Sequence, residues 1–175
     1  MSDIETTDMI EFDGRHWWHG VTQKITSSGP IARMISPLAH RLDLAIIKQS
    51  KGQRSLTNLL AGVPIVTVTT IGAKSGQPRT MPLVAIPDGD NVILIASNWG
   101  GAKNPAWYYN MCANPEVTLT YKGKSATYVA RELSGEDRDH AWGKAVAIYP
   151  GYTSYEARTG DRQIPVLVLT PQVQM

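Results

Sequence analysis

The 175-residue sequence predicts an α+β fold that is mainly β: a small barrel with helical inserts, preceded by a helical arm. Three observations carry this. Six or so segments between Ile65 and Thr170 are rich in Val, Ile, Leu and Thr. Most of them are joined by short Gly-containing turns, which suit antiparallel neighbours. Helical patterns separate only a few of them, whereas a parallel sheet needs a crossover between most strands.

The elements follow in order. Residues 1–55 form the arm, an acidic tail (Asp3, Glu5, Asp8, Glu11 and Asp13) followed by a basic stretch from Arg15 to Arg54. Within it Ile31, Met34, Ile35, Leu38, Leu42, Ala45 and Ile46 keep helical spacing, with an interruption near Pro37. Residues 56–175 form the barrel domain. IVTVTTI after Pro64 alternates and is β-branched, so it is a strand. AKSGQP is a turn, and RTMPLVAI a second strand in which Pro82 marks a bulge or an edge. DGDN is a hairpin turn before the strand VILIAS. In the loop WGGAKN, Asn104 is the expected N-cap and Pro105 the first position of a helix through PAWYYNMCA. EVTLTYKGKSATYVAREL gives two strands around Lys122-Gly123-Lys124. Ser134 to Asp137 cap a helix reaching Ile148, Pro150 breaks it, and IPVLVLT is the last strand.

Composition narrows the function. A net charge of +2 provides no domain-wide basic field for nucleic acid. One cysteine, Cys112, leaves neither an internal disulfide nor a zinc spacing, and His16, His19, His40 and His140 are scattered. The acidic start is unlike a signal peptide, and no apolar run could span a bilayer, so a cytoplasmic protein is expected. There is no Ser/His/Asp order or paired-carboxylate site, which disfavours hydrolysis and leaves cofactor-borne redox chemistry.

Two turns and a tyrosine cluster carry the candidate chemistry. The Gly72–Arg79 turn places Lys74, Ser75, Gly76 and Arg79 together, a donor set for phosphate or carboxylate that also fits a solvated hairpin with surface cations. The Ser97–Trp107 loop adds Lys103 and a helix start whose free N–H groups favour an anion. Ser97, at a strand end, could donate to a ring carbonyl or simply close the strand. Tyr149, Tyr152 and Tyr155 recur at a spacing of three, a wall with an apolar body and a proton-bearing tip, or else a packed amphipathic face.

The blocks TTIGAKSGQPRTMPL, ASNWGGAKNPAWYYNMCANPEV and YPGYTSYEARTGDRQIPVLVL together resemble the deazaflavin-dependent nitroreductase family over about residues 50–171. The resemblance implies an FMN-binding-like split β-barrel and coenzyme F420, a 5-deazaflavin with a phosphate and an oligoglutamate tail. It implies hydride transfer from the reduced cofactor to a quinone, an activated alkene or a nitroaromatic. Lys74, Ser75 and Arg79 would meet the phosphate and tail, and Thr80, Met81, Pro82, Leu83 and Val84 would line the ring. Ile95, Ala96, Ser97 and Asn98 would contact the deazaflavin, and Ala106, Trp107, Tyr108, Tyr109 and Asn110 would close the site. Tyr149, Tyr152 and Tyr155 resemble the family's substrate-pocket tyrosines, with Tyr152 also near the cofactor. With Ser97 they are the catalytic candidates, and no metal is expected.

The sequence departs from the pattern at two positions. Ala73 stands where many members carry Arg, and Val84 where nitro-reducing members often carry an aromatic residue. An FMN-dependent reductase of the same barrel is the nearest alternative, and a non-catalytic deazaflavin carrier the next. The expected partners are a small lipophilic substrate such as a quinone and a second copy of the chain. The basic arm either meets a membrane surface or packs on the barrel or a dimer mate.

Overall fold

The computed structural model describes residues 64–172 together with Ile10. The arm helix lies outside the described residues. Seven strands form one antiparallel sheet: β1 (Ile65–Ile71), β2 (Pro78–Val84), β3 (Ile86–Asp88), β4 (Asn91–Ile95), β5 (Glu116–Tyr121), β6 (Lys124–Glu132) and β7 (Val166–Pro171). Their order across the sheet is β2-β1-β5-β6-β7-β4-β3. Three helices interrupt them: α1 (Ala106–Ala113), α2 (Gly135–Ile148) and α3 (Gly151–Glu156).

The two outermost strands are successive in the chain. RTMPLVAI, expected as one strand, is divided at Ala85, so that β2 pairs with β1 while β3 pairs with β4. Ala85 is buried, and its N–H donates to Pro64 O at 2.9 Å, which continues the β1–β2 register one residue beyond the Ile65–Val84 pair before the chain passes to β3. One polypeptide stretch thereby runs from one edge strand of the sheet to the other, which curls the sheet into a half-barrel. Pro82 lies on β2, an edge strand in the hydrogen-bonding order, where its missing N–H costs nothing.

Turn chemistry fixes the hairpins. Lys122 and Gly123 both take left-handed backbone (φ 49° and 84°), as a two-residue hairpin loop with this twist requires, and Tyr121 faces Lys124 across it. In the β3–β4 hairpin Gly89 supplies the positive φ, and Asp88 faces Asn91.

Strand alternation sorts the apolar residues into two cores. Val92, Leu94 and Ala96 point into one that also holds Val66, Val68, Leu119, Tyr128, Leu167 and Leu169, with Trp107 and Met111 from α1; Ile10 is buried here. Ile93 and Ile95 point the other way, to Ile86, Val166 and Val168 and to Ala141 and Ala145 of α2. α2 and α3 thus cap the outer face of β4 and β7. Arg138 fastens the cap: Nη2 donates to Ile164 O at 3.2 Å, and the guanidinium lies 5.3 Å from the Trp142 ring.

Two helix starts differ from expectation in detail. Asn104 does not cap α1. Pro105 holds the N-cap position in extended backbone (φ −68°, ψ 153°), because the Asn104 carboxamide is taken by Arg162. Ser134 is the N-cap of α2 but makes no side-chain bond to it; Glu136 and Asp137 in the first turn complement the helix dipole instead.

Candidate functional site

The first turn is bonded to α1. Gly72 N–H donates to Gln77 O and Gly76 N–H to Gly72 O, closing a tight loop with Gly76 at φ 63°. Ala73 N–H donates to Asn110 Oδ1 at 3.0 Å, and Asn110 Nδ2 donates to Thr70 Oγ1 at 3.1 Å. Asn110, buried, is therefore a clamp between turn and helix, and its amide is spent on protein groups. Lys74, Ser75 and Arg79 remain exposed. Among the described residues neither Lys74 nor Arg79 has a carboxylate partner. Two unpaired cations held on a rigid turn form a donor set for an anionic tail.

Beyond the turn, β2 presents two faces. Thr80 shares a hydroxyl–hydroxyl bond with Thr69 at 2.9 Å. Met81 and Leu83 pack against the inner core, and Val84 packs against the cap core, with Pro82 half-buried between them.

α1 spreads its first turn over four directions. Ala106 and Tyr109 are exposed, Trp107 is buried inward, and Tyr108 donates to Glu132 Oε2 on β6 at 2.8 Å. Tyr109 stands edge-on to Tyr108, with centroids 5.2 Å apart. Burial, with Glu132 and Cys112 adding to it, raises the Tyr108 pKa well above the ordinary phenol value.

The second loop is held by an arginine that sequence reasoning did not single out. Arg162 Nε and Nη2 donate to Gly101 O, Nη2 also to Ser97 O at 2.9 Å, and Nη1 to Asn104 Oδ1. One guanidinium thus ties the end of β4, the loop and the start of α1 together. Desolvation lowers its pKa, and every bonded partner is neutral. Only the polar run RTGDRQ hinted at it; a contact spanning some sixty residues leaves no local signature.

Ile95 and Ala96 are buried; Ser97 is half-buried and Asn98 exposed. The Asn98 amide donates to Lys103 O at 2.8 Å. No bond engages the Ser97 hydroxyl among the described residues, so it is available to a ligand carbonyl. Asn98, Trp99 and Gly100 are all left-handed (φ 48°, 57° and 77°). For non-glycine residues this conformation costs about 1–2 kcal/mol each.

The three tyrosines come together, but inside the cap rather than as an open wall. They are 8%, 4% and 3% exposed (Tyr149, Tyr152 and Tyr155), and Tyr149 and Tyr155 join hydroxyls at 3.0 Å. Tyr152 stands edge-on to both, at 5.2 and 6.0 Å between centroids. Burial first, then neighbouring phenols, raises the pKa of Tyr152 and of Tyr155. Both stay protonated across the physiological range. The cluster touches the second loop, since Tyr155 meets Trp99 edge-on at 6.0 Å and Arg158, 4.9 Å over the Tyr155 ring, donates to Trp99 O.

The three motif blocks therefore meet around α1 and the second loop, with cations at one side and phenols at the other. No group of acidic, cysteine or histidine residues among the described residues could hold a metal. Comparison with known proteins adds the decisive observation: residues 39–171 match the model of the F420H(2)-dependent quinone reductases.

The chain belongs to that family.

An F420H(2)-dependent quinone reductase of Mycobacterium tuberculosis (strain ATCC 25618 / H37Rv) is 36% identical over 134 residues, covering 74% of this chain and 88% of the relative. A solved F420-H2 dependent reductase (FDR-A) is 44% identical with a TM-score of 0.56, covering 61% of this chain and 93% of that one. A second solved chain, described as a domain-swapped dimer, is 37% identical with a TM-score of 0.59, covering 77% and 98%. The split barrel is thus shared with the F420H(2)-dependent reductases. Family membership makes the chain an oxidoreductase whose cofactor is coenzyme F420.

Proposed function

We propose that the chain transfers a hydride from reduced coenzyme F420 to a quinone. The observation that carries the reading is the Ala73–Asn110 clamp. It sets two unpaired cations against α1 in a chain of the quinone reductase family. The donor set suits the cofactor. Lys74 and Arg79 match its phosphate and oligoglutamate, and the free Ser97 hydroxyl at the end of β4 suits a ring carbonyl. Bound F420H(2) supplies the hydride and its electron pair.

The protein holds the ring, excludes water and places a flat acceptor within reach. Burial keeps Tyr152 and Tyr155 as neutral phenols rather than bases, with the Tyr155 hydroxyl paired to that of Tyr149. Val84, against the cap core, takes less room than an aromatic residue would, which favours a broad quinone over a nitroaromatic.

An acceptor screen tests this. With F420H(2) in hand, menadione should be reduced faster than a nitroaromatic or a cyclic enone, and a clear preference for either of those would displace the quinone.

Two finer points belong to the same proposal. The domain-swapped relative supports a homodimer, to be checked by sedimentation. The basic pattern from Arg15 to Arg54 supports a cytoplasmic protein that meets a membrane surface peripherally; no helix among the described residues is long and apolar enough to cross one. Liposome flotation with and without residues 1–50 checks it, and equal flotation removes the membrane contact.

A further inference from the structure

The geometry points to Trp99 as a residue that contacts the flat acceptor and sets its affinity, an inference that rests on the proposed quinone reduction. Trp99 is an anomaly. A bulky side chain at φ 57°, ψ 23° is a genuine backbone outlier, and here it lies between two further left-handed residues. Core packing does not explain it, because the residue remains 47% exposed. Glycine would occupy this backbone without strain.

The surroundings nonetheless enforce the conformation. Gly101 N–H donates to Asn98 O at 2.9 Å, and Gly100 N–H to Ser97 O at 3.0 Å. A Cβ at Gly100 would lie 2.9 Å from Tyr155 O, so the turn is packed directly on α3. Arg158 holds Trp99 O at 3.3 Å, and Arg162 holds the carbonyls on both sides. Strain that is over-determined in this way persists where a function requires the displayed side chain.

Position decides the function. The indole follows directly after Ile95–Asn98, on the side where Tyr155 meets it edge-on at 6.0 Å. The cationic turn is bonded to Asn110, whereas Arg162 ties this loop to Asn104, before the helix begins. Trp99 thus stands away from the tail-binding cations and beside the phenols. An electron-rich indole face, half open to solvent, suits offset stacking with an electron-poor quinone ring.

The test compares Trp99→Gly and Trp99→Phe with wild type, full-length and saturated with F420. Menadione affinity is measured by titration calorimetry, F420 affinity on the apoprotein and Tm by melting. Trp99→Gly should bind menadione at least tenfold more weakly, keep F420 affinity within twofold and melt no lower than wild type. Trp99→Phe should recover most of the menadione affinity. Unchanged menadione affinity in Trp99→Gly overturns the contact, and a parallel loss of F420 affinity overturns it by moving the indole to the cofactor. A wild type that binds menadione but oxidises no F420H(2) refutes the proposed function while the affinities still judge Trp99. Active Trp99→Gly with the wild-type KM for menadione refutes the contact alone.

Discussion

Lys74 is an exposed ammonium on a turn whose backbone is bonded on both sides, so its position costs the cofactor little ordering. Lys74→Ala should weaken F420 binding by about 1–3 kcal/mol, the scale of a charge-assisted hydrogen bond; titration of the apoprotein measures it, and unchanged affinity removes the contact. Ala73 is as informative as its neighbour. Its side chain contributes no charge, but its N–H anchors the turn to Asn110. The phenols make a different prediction. The folded state holds Tyr152 protonated above the ordinary value of 10.0, so the unfolded chain releases that proton first. The stability this proton carries is complete below pH 10 and is lost as pH rises beyond it. Melting temperatures should fall above about pH 10, and Tyr152→Phe should show a shallower fall. Identical slopes would mean that Tyr152 is not the group responsible.

At the scale of elements, α1 is the part that joins the site. Asn110 binds it to the first turn, and Arg162 binds the residues before it to the end of β4. Asn110→Ala would leave the Ala73 N–H without its partner and remove the bond that the Thr70 hydroxyl accepts, at a cost of about 1–3 kcal/mol. Urea unfolding should show that loss, with F420 affinity falling alongside it; loss of stability at constant affinity would mean that the turn does not meet the cofactor. Legibility also divides at this scale. β1, the Lys122–Gly123 hairpin and α2 could be read locally, because strand alternation, positive-φ turn residues and a helix start are written in neighbouring residues. The N-cap of α1 was read one residue early. Asn104 has the right chemistry for a cap, yet a guanidinium distant in sequence claims its oxygen. The tyrosine spacing could be read, but not that the cap would fold Tyr149 and Tyr155 hydroxyl to hydroxyl.

For the whole molecule, the break at Ala85 joins opposite edges of the sheet, and no periodicity announces it. The Ala85 bond to Pro64 O is the last in register with β1, and from Ile86 the chain pairs with β4 instead. The curled sheet then separates two cores. One carries α1, and the other carries the tyrosine cap, with β4 between them. The second loop, at the end of β4, links the two sides, through Arg162 to the start of α1 and through Trp99 and Tyr155 to the tyrosine cap. The cofactor that the full-length protein takes is the most direct test. Apoprotein titrated in parallel with F420 and with FMN should bind F420 the more tightly, with that preference reduced by Lys74→Ala. Tighter binding of FMN would contradict it.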